Sequence, residues 1–350
     1  MKQYSNLFLL LLSILIVSCN SDDDNNEPFI PDGDYFDGTL ILNEGGFSGS
    51  SSVSFISNDL SEVENSIFEN TNADQSVGLF PQSIFFDGDR AFIISNGSNK
   101  ISVVNRFTFK LMETIEGDLN VPRYGTVLNG KAYVTNQAAF NSDQDDFVAV
   151  IDLETLQVEE TVLLGAVAEH IVNANETIYI QNPSLFGSEN PVNSVSVFNP
   201  SSNSIEDVIQ VGDNLNSLKA FNNKIYALDD DGVKIINTAD FNIETTINKP
   251  ENSVSLNNLR IESGQMYYTS GTAVYSSSLS ATELSSEIIF DYESELTNGT
   301  LYGFDVNEGQ FYLADAADFA SNGSVFIYSS SGDLLADFTV GLNPNGFYFQ

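Results

Sequence analysis

The sequence predicts an all-β fold, a seven-bladed β-propeller closed in blade one by its N- and C-terminal strands, on three observations. The first is a marker that occurs seven times: an aromatic residue or leucine followed three positions later by Asn, Asp or Ser. The pairs are Leu40/Asn43, Phe92/Ser95, Tyr133/Asn136, Tyr179/Asn182, Tyr226/Asp229, Tyr267/Ser270 and Tyr312/Asp315. The second is the interval between markers, 41 to 52 residues, which is the length of one four-stranded blade rather than of a sandwich strand or a solenoid turn. The third is that each end of the chain carries half a repeat. Gly38-Thr39-Leu40-Ile41-Leu42-Asn43 reads as a second strand with no first. Asn343-Pro344-Asn345-Gly346-Phe347-Tyr348-Phe349 reads as a first strand with no second. Pairing the two closes the ring and removes two open sheet edges.

Within a repeat the elements follow in order. Strand A is a short apolar run such as Ser83-Ile84-Phe85-Phe86 or Gly125-Thr126-Val127-Leu128. A two-residue turn follows: Gly88-Asp89, Asn129-Gly130, Asn175-Glu176, Asn222-Asn223, Ser263-Gly264 or Glu308-Gly309. Most of these dipeptides accept the positive φ that tight hairpins demand. Strand B carries the marker. A loop leads to strand C, an apolar run opening on valine, as in Val195-Ser196-Val197-Phe198 or Val325-Phe326-Ile327-Tyr328. A polar turn then leads to strand D, such as Val158-Glu159-Glu160-Thr161-Val162. These runs have strand length and β-branched content, and no helical period of useful length appears. Seven markers select seven blades over six or eight.

Outside residues 35–350 the chain reads differently. Lys2 precedes an apolar run from Leu7 to Val17, too short to span a membrane and typical of a signal peptide over residues 1–18. Ile16-Val17-Ser18-Cys19 resembles a bacterial lipobox, although leucine is commoner at its first position. Cys19, the only cysteine, is then the lipidated residue, and its acyl chains are the membrane attachment. Residues 19–34, rich in Asp and Asn, form an acidic tether too poor in apolar residues to fold.

The composition excludes several functions. Forty-nine acidic against 12 basic side chains give a net charge of −37, which argues against nucleic-acid binding, since phosphate contacts need clustered Lys and Arg. His170 is the only histidine, so a histidine-cluster metal site is excluded, and neither a metal nor another cofactor is expected. No Ser-His-acid spacing and no glycine-rich phosphate loop is recognisable. The acidic stretches Asp143-Gln144-Asp145-Asp146 and Asp229-Asp230-Asp231-Gly232 do not complete a twelve-residue calcium loop. The protein is expected to be non-catalytic.

A propeller gathers its B–C and D–A loops at one mouth, where a ligand site is expected. Four B–C loops are long, and each places a phenylalanine four residues after the marker: Asn43/Phe47, Asn136/Phe140, Asn182/Phe186 and Asp315/Phe319. These eight residues are read as an aromatic crown with polar orienting groups. Alternatively, each phenylalanine plugs a gap between blades. Blades 5 and 6 have short loops, so the crown should open on that side. In strand A the residues nine before each marker include Tyr124 and His170, which with Arg123 should lie nearest the mouth. Those seven before include Lys219, Arg260 and Asp305, a possible ion-pair cluster on a strand face that borders the channel.

With repeat, closure and lipobox in hand, the chain resembles the YncE-like seven-bladed propeller lipoproteins of Bacteroidota. The resemblance is carried by Val121-Pro122-Arg123-Tyr124-Gly125-Thr126-Val127-Leu128-Asn129-Gly130 and its equivalents, and by Leu40-Ile41-Leu42-Asn43-Glu44-Gly45-Gly46-Phe47. The Ser21-Asp22-Asp23-Asp24 run after the lipobox resembles their surface-export signal. Some members capture corrinoids (vitamin B12) on the outer membrane and sit on a TonB-dependent transporter. The resemblance therefore implies a surface-anchored capture protein, with a corrinoid-type nutrient as first ligand and such a transporter as partner. A lactonase-like propeller enzyme and an adhesion scaffold are the alternatives.

Overall fold

The computed structural model describes residues 33–47, 49–188, 193–251, 255–294, 296 and 299–350. The expected signal peptide, Cys19 and the run read as an export signal lie outside the described residues. The described strands assort into seven four-stranded sheets, each antiparallel throughout. Every marker closes its strand B: Asn43, Ser95, Asn136, Asn182, Asp229, Ser270 and Asp315 are the last residues of those strands.

The turns explain the local register. Both residues of Asn129-Gly130, Asn175-Glu176, Asn222-Asn223, Ser263-Gly264 and Glu308-Gly309 have φ between 48° and 81°. Two successive left-handed residues form the turn whose twist matches the flanking strands. Blade 1 is assembled from both ends of the chain. Its strand A, Pro344–Phe349, pairs with its strand B, Gly38–Asn43, through Leu40↔Tyr348, Ile41↔Phe347 and Leu42↔Gly346. Arg106 of blade 2 secures the last residues: its Nε donates to Gln350 Oε1 at 2.6 Å and its Nη2 to the Phe349 carbonyl at 3.2 Å.

The core is divided into seven apolar clusters, each drawing on two successive blades. Every blade is therefore packed on both faces, and its middle strands are buried almost continuously. This is why strands B and C read as unbroken apolar runs rather than alternating ones. Strand D, the outermost, is mostly exposed, as in Gln157–Leu163 and Ser204–Gln210, and carries much of the acidic charge.

Two features differ from the sequence reading. Strand A is also packed on both faces. Ile84 joins Leu40, Leu42 and Phe55 of blade 1, whereas its neighbour Phe85 joins Ala132 and Val134 of blade 3. Neither face is given over to the channel. It is the inner edge of the strand that borders the axis, so short residues such as Ser83, Gly125 and Ser217 line it beside long side chains. In blade 1 the outermost strand is two residues, Val63–Glu64, and a one-turn helix, Ile67–Thr71, follows it and buries Ile67 and Phe68 in the seam with blade 2.

Candidate functional site: the axial channel and its rim

The strands A that border the axis are Pro344–Phe349 in blade 1, Pro81–Asp87 in blade 2, Pro122–Leu128 in blade 3 and Ile171–Ala174 in blade 4. They continue as Ser217–Phe221, Asn257–Glu262 and Leu301–Asn307 in blades 5 to 7. They enclose an axial cavity of about 370 Å³. The A–B register slips near the start of strand A in blades 1, 2, 3, 6 and 7. Such bulges turn side chains out of a ladder at the rim of a site.

At the mouth, a residue within two positions of the start of each strand A is polar or a tyrosine: Asn345, Gln82, Arg123, Glu169, Asn216, Asn257 and Tyr302. Hydrogen bonds join most of these into an arc. Glu44 accepts from Tyr302 Oη at 2.8 Å and from Asn345 Nδ2 at 2.9 Å. Gln82 donates to Tyr124 Oη at 3.0 Å and accepts from Arg123. Arg123 grips Glu169 with Nη2 to Oε1 at 2.8 Å and Nε to Oε2 at 3.3 Å, and Gln137 donates to the same carboxylate. Burial alone would lower Arg123, and Glu169, with Tyr124 and Glu44, more than restores it. The arc covers blades 7, 1, 2, 3 and 4. Over blades 5 and 6, Asn216 and Asn257 donate only to backbone carbonyls nearby, and two residues alone link strands B and C there.

Three residues further along strand A, about 10 Å deeper at 3.3 Å per residue, stand Tyr348, Lys219, Arg260 and Asp305. The expected ion-pair cluster is partly realised. Arg260 Nε lies 2.9 Å from Asp305 Oδ1, whereas Lys219 has no ion pair or hydrogen bond among the described residues. Burial and the charge of Arg260 push Lys219 down to about 7, with Asp305 pulling it back. The equivalent residues Phe85 and Val172 are packed in seams instead, and Thr126 accepts from Asn173 of blade 4. His170 lines the same cavity, its ring centroid 3.8 Å from that of Tyr124. Burial, and then the charges of Lys219, Arg260 and Arg123, hold its imidazole well below its ordinary value, so it is neutral at physiological pH.

The rim carries the four loop phenylalanines. Phe47, Phe140, Phe186 and Phe319 are 97%, 76%, 99% and 46% exposed, so none plugs a gap between blades. Phe140 and Phe186 line one cleft of about 170 Å³ with Val167, Pro183, Leu185 and Asp146. Phe319 meets the mouth residue Tyr302 edge to face at 5.4 Å, and Phe47 meets Phe80 at 5.2 Å. Exposed aromatic side chains grouped on one face are a departure from ordinary loop composition.

The polar halves of the markers sit elsewhere. Asn43, Asn136, Asn182 and Asp315 are buried and tie strand B to the neighbouring loops. Asn136 accepts from the Asn120 N–H at 2.9 Å. Asn182 donates to the Val167 carbonyl at 2.9 Å and accepts from Ser196 at 2.6 Å. Asn43 donates to Ser54 at 3.0 Å. Asp315 accepts from the N–H groups of Thr300 and Ala317 and from the hydroxyls of Tyr292 and Ser294. Burial pushes its carboxyl up, and these four donors outweigh it and hold it below its ordinary value. In the same way the Asp229 carboxylate accepts from the Gly212 N–H at 2.7 Å. At Ser95, Asn136, Asn182, Asp229 and Asp315 the marker is thus a staple for the D–A loop, recurring for a structural reason, whereas Asn43 bonds within its own blade. Of the residues singled out in the sequence, the structure brings Arg123, Tyr124 and His170 to the mouth and channel. It sets the four phenylalanines around them and keeps Asn43, Asn136, Asn182 and Asp315 in the fold. Glu44, Gln82, Glu169, Asn216, Tyr302 and Asn345 were missed. The signal for most of them was present: ten residues before each of the six markers from Phe92 on, the side chain is polar or a tyrosine.

The chain belongs to the family described as a domain of unknown function, DUF5074, whose model matches residues 37–349. No curated protein matches it. Among solved structures it is similar to a quinonprotein alcohol dehydrogenase-like protein from Bacteroides thetaiotaomicron, at 14% identity and a TM-score of 0.66 over 91% of this chain and 79% of that one. It is also similar to a candidate 6-phosphogluconolactonase from Bacteroides fragilis, at 11% identity and a TM-score of 0.61 over 90% and 98% of the two chains. Apo AztD from Citrobacter koseri matches at 11% identity and a TM-score of 0.51, over 89% and 96%. At these identities the likeness is one of fold.

Proposed function

We propose that this protein is a non-catalytic capture protein that takes a partly apolar small molecule at its loop face. In this reading it is anchored at the cell surface through Cys19, and its first ligand class is a corrinoid-type nutrient passed to a TonB-dependent outer-membrane transporter. One observation carries the reading: four phenylalanines, at one sequence offset, stand exposed around a single mouth. Leaving such side chains in water gains nothing in the isolated protein. Covering them on a ligand or partner recovers large area at low entropic cost. The arc of hydrogen-bonded polar groups from Tyr302 to Glu169 supplies fixed donors and acceptors beneath them. The low wall at blades 5 and 6 supplies the entrance.

The reading is tested by isolating the native protein from membranes with its outer-membrane partner and identifying bound small molecules by mass spectrometry. The same isolation with Phe47, Phe140, Phe186 and Phe319 all changed to Ala is the control. Loss of the bound molecule with an unchanged melting temperature supports capture at the crown. Retention of the molecule in the quadruple variant, or turnover of a lactone panel by the wild type, overturns it.

A further inference from the structure

The axial channel holds basic and acidic side chains in equal number, in a strongly acidic protein. The chain has 12 Lys and Arg against 49 acidic residues, so a cavity lined without preference would be acidic. Instead Lys219 and Arg260 stand in it against Glu44 and Asp305, with a neutral His170 between them and Arg123 paired to Glu169 at its mouth. The nearby carboxylates are already satisfied within the fold: Glu44 by Tyr302 and Asn345, Glu169 by Arg123 and Gln137, Asp305 by Arg260. Lys219 alone has no partner among the described residues. An ammonium in a narrow cavity has lost solvation, and the only opposite charge acting on this one is Asp305, which Arg260 already pairs. A bound anion would supply the missing partner.

We infer that the channel is a binding site for a small organic or inorganic anion, a carboxylate or phosphate group held between Lys219 and Arg260. The ligand would enter over the low wall of blades 5 and 6, the blades that carry these two side chains. Arg260 lies with Nε in ion-pair range of Asp305, without a hydrogen bond, and donates Nη1 to the Leu259 carbonyl, which leaves Nη2 for an incoming oxygen. The neutral imidazole of His170 and the amide of Asn216 border the same space. A cavity of about 370 Å³ is at the small end for small-molecule sites, so the ligand is a metabolite-sized anion or the anionic end of a larger molecule.

The site goes beyond the capture reading and stands without it, because a small anion need not touch the crown. Binding should take up protons. A partner anion raises the depressed Lys219 ammonium, with Glu44, Tyr124, His170, Arg260, Tyr302, Asp305 and Tyr348 as the other titratable groups lining the channel and Arg123 and Glu169 at its mouth. Affinity should therefore fall as pH rises above about 7.

The test is isothermal titration calorimetry of the full chain with inorganic phosphate, citrate and the uncharged polyol erythritol, each in chloride buffer. Wild type should bind phosphate or citrate saturably, and erythritol not at all. Preference for one of the two distinguishes a phosphate from a carboxylate site. Lys219→Met should weaken anion binding at least about tenfold with an unchanged melting temperature. Lys219→Arg should retain it, which separates charge from packing should the methionine variant melt lower. Phe186→Ala should leave anion affinity unchanged, so failure of the crown and failure of the channel are separable. Absence of saturable binding of either anion up to about 10 mM, or equal affinity in Lys219→Met, overturns the inference.

Discussion

Closure of the ring by the C-terminal strand can be probed at one side chain, Phe347. This residue is buried in the seam between blades 7 and 1, with its ring centroid 5.6 Å from that of Tyr312, and it stands opposite Ile41 in the closing ladder. Truncation to Ala removes a buried aromatic from a seam that cannot collapse without moving a whole blade. The cost should be about 3–5 kcal/mol, typical of a core Phe→Ala change. Deleting residues 343–350 removes in addition Tyr348, Phe349, the closing ladder and the Arg106 tie to Gln350. It also bares one edge of the Gly38–Asn43 strand. The combined loss is a large part of the roughly 5–15 kcal/mol that stabilises a folded domain, and the bared edge invites association. Urea denaturation followed by circular dichroism, with light scattering for association, reads both. A Phe347→Ala loss under about 1 kcal/mol, or a truncated chain that stays monodisperse with an unchanged midpoint, would refute closure as a source of stability.

Three further outcomes follow from the geometry. Asp146 is buried beside the Phe140/Phe186 cleft, and burial pushes its carboxyl from 3.8 up to about 6, the Ala168 N–H pulling the other way. The native state thus holds this proton more tightly than the unfolded chain does. Stability falls as pH climbs from about 4 to about 6 and levels off above. Asp146→Asn should match wild type near pH 4 and exceed it by up to about 3 kcal/mol at pH 8; a difference independent of pH would contradict this. Phe47→Ala and Phe186→Ala should change unfolding free energy by less than about 0.5 kcal/mol, because their rings are already in water, and a clear drop in melting temperature would show them to be structural. Cys19→Ser should move the protein from the membrane to the soluble fraction, and a variant that remains membrane-bound with normal precursor cleavage would remove the lipid anchor from the proposal.

The local grammar of the fold was legible from the chain because it acts over short range. Positive-φ dipeptides set the hairpins, the seven markers set the blade count, and the two half-repeats set the closure. The marker's polar residue was legible as a repeat and misleading as a function. Period alone does not say whether a recurring Asn faces a ligand or, like Asn136 on the Asn120 N–H, holds a loop. The loop phenylalanines were the reverse case. Their offset was readable, but their exposure depended on whether the adjoining seam had room for them.

The sequence by itself determined seven blades, their order and the strand that closes them, since each depends on residues within one repeat or at the chain ends. Only the tertiary structure decided which side chains share the channel. Arg123 meets Glu169 across 46 residues and Asn345 meets Glu44 across 301, distances that become contacts only when the ring is shut. It also decided that both faces of strand A are packed, because a blade is a sheet held between two others. That packing leaves the channel to the inner edges of the strands, and it leaves Lys219 facing the cavity without an ion pair of its own.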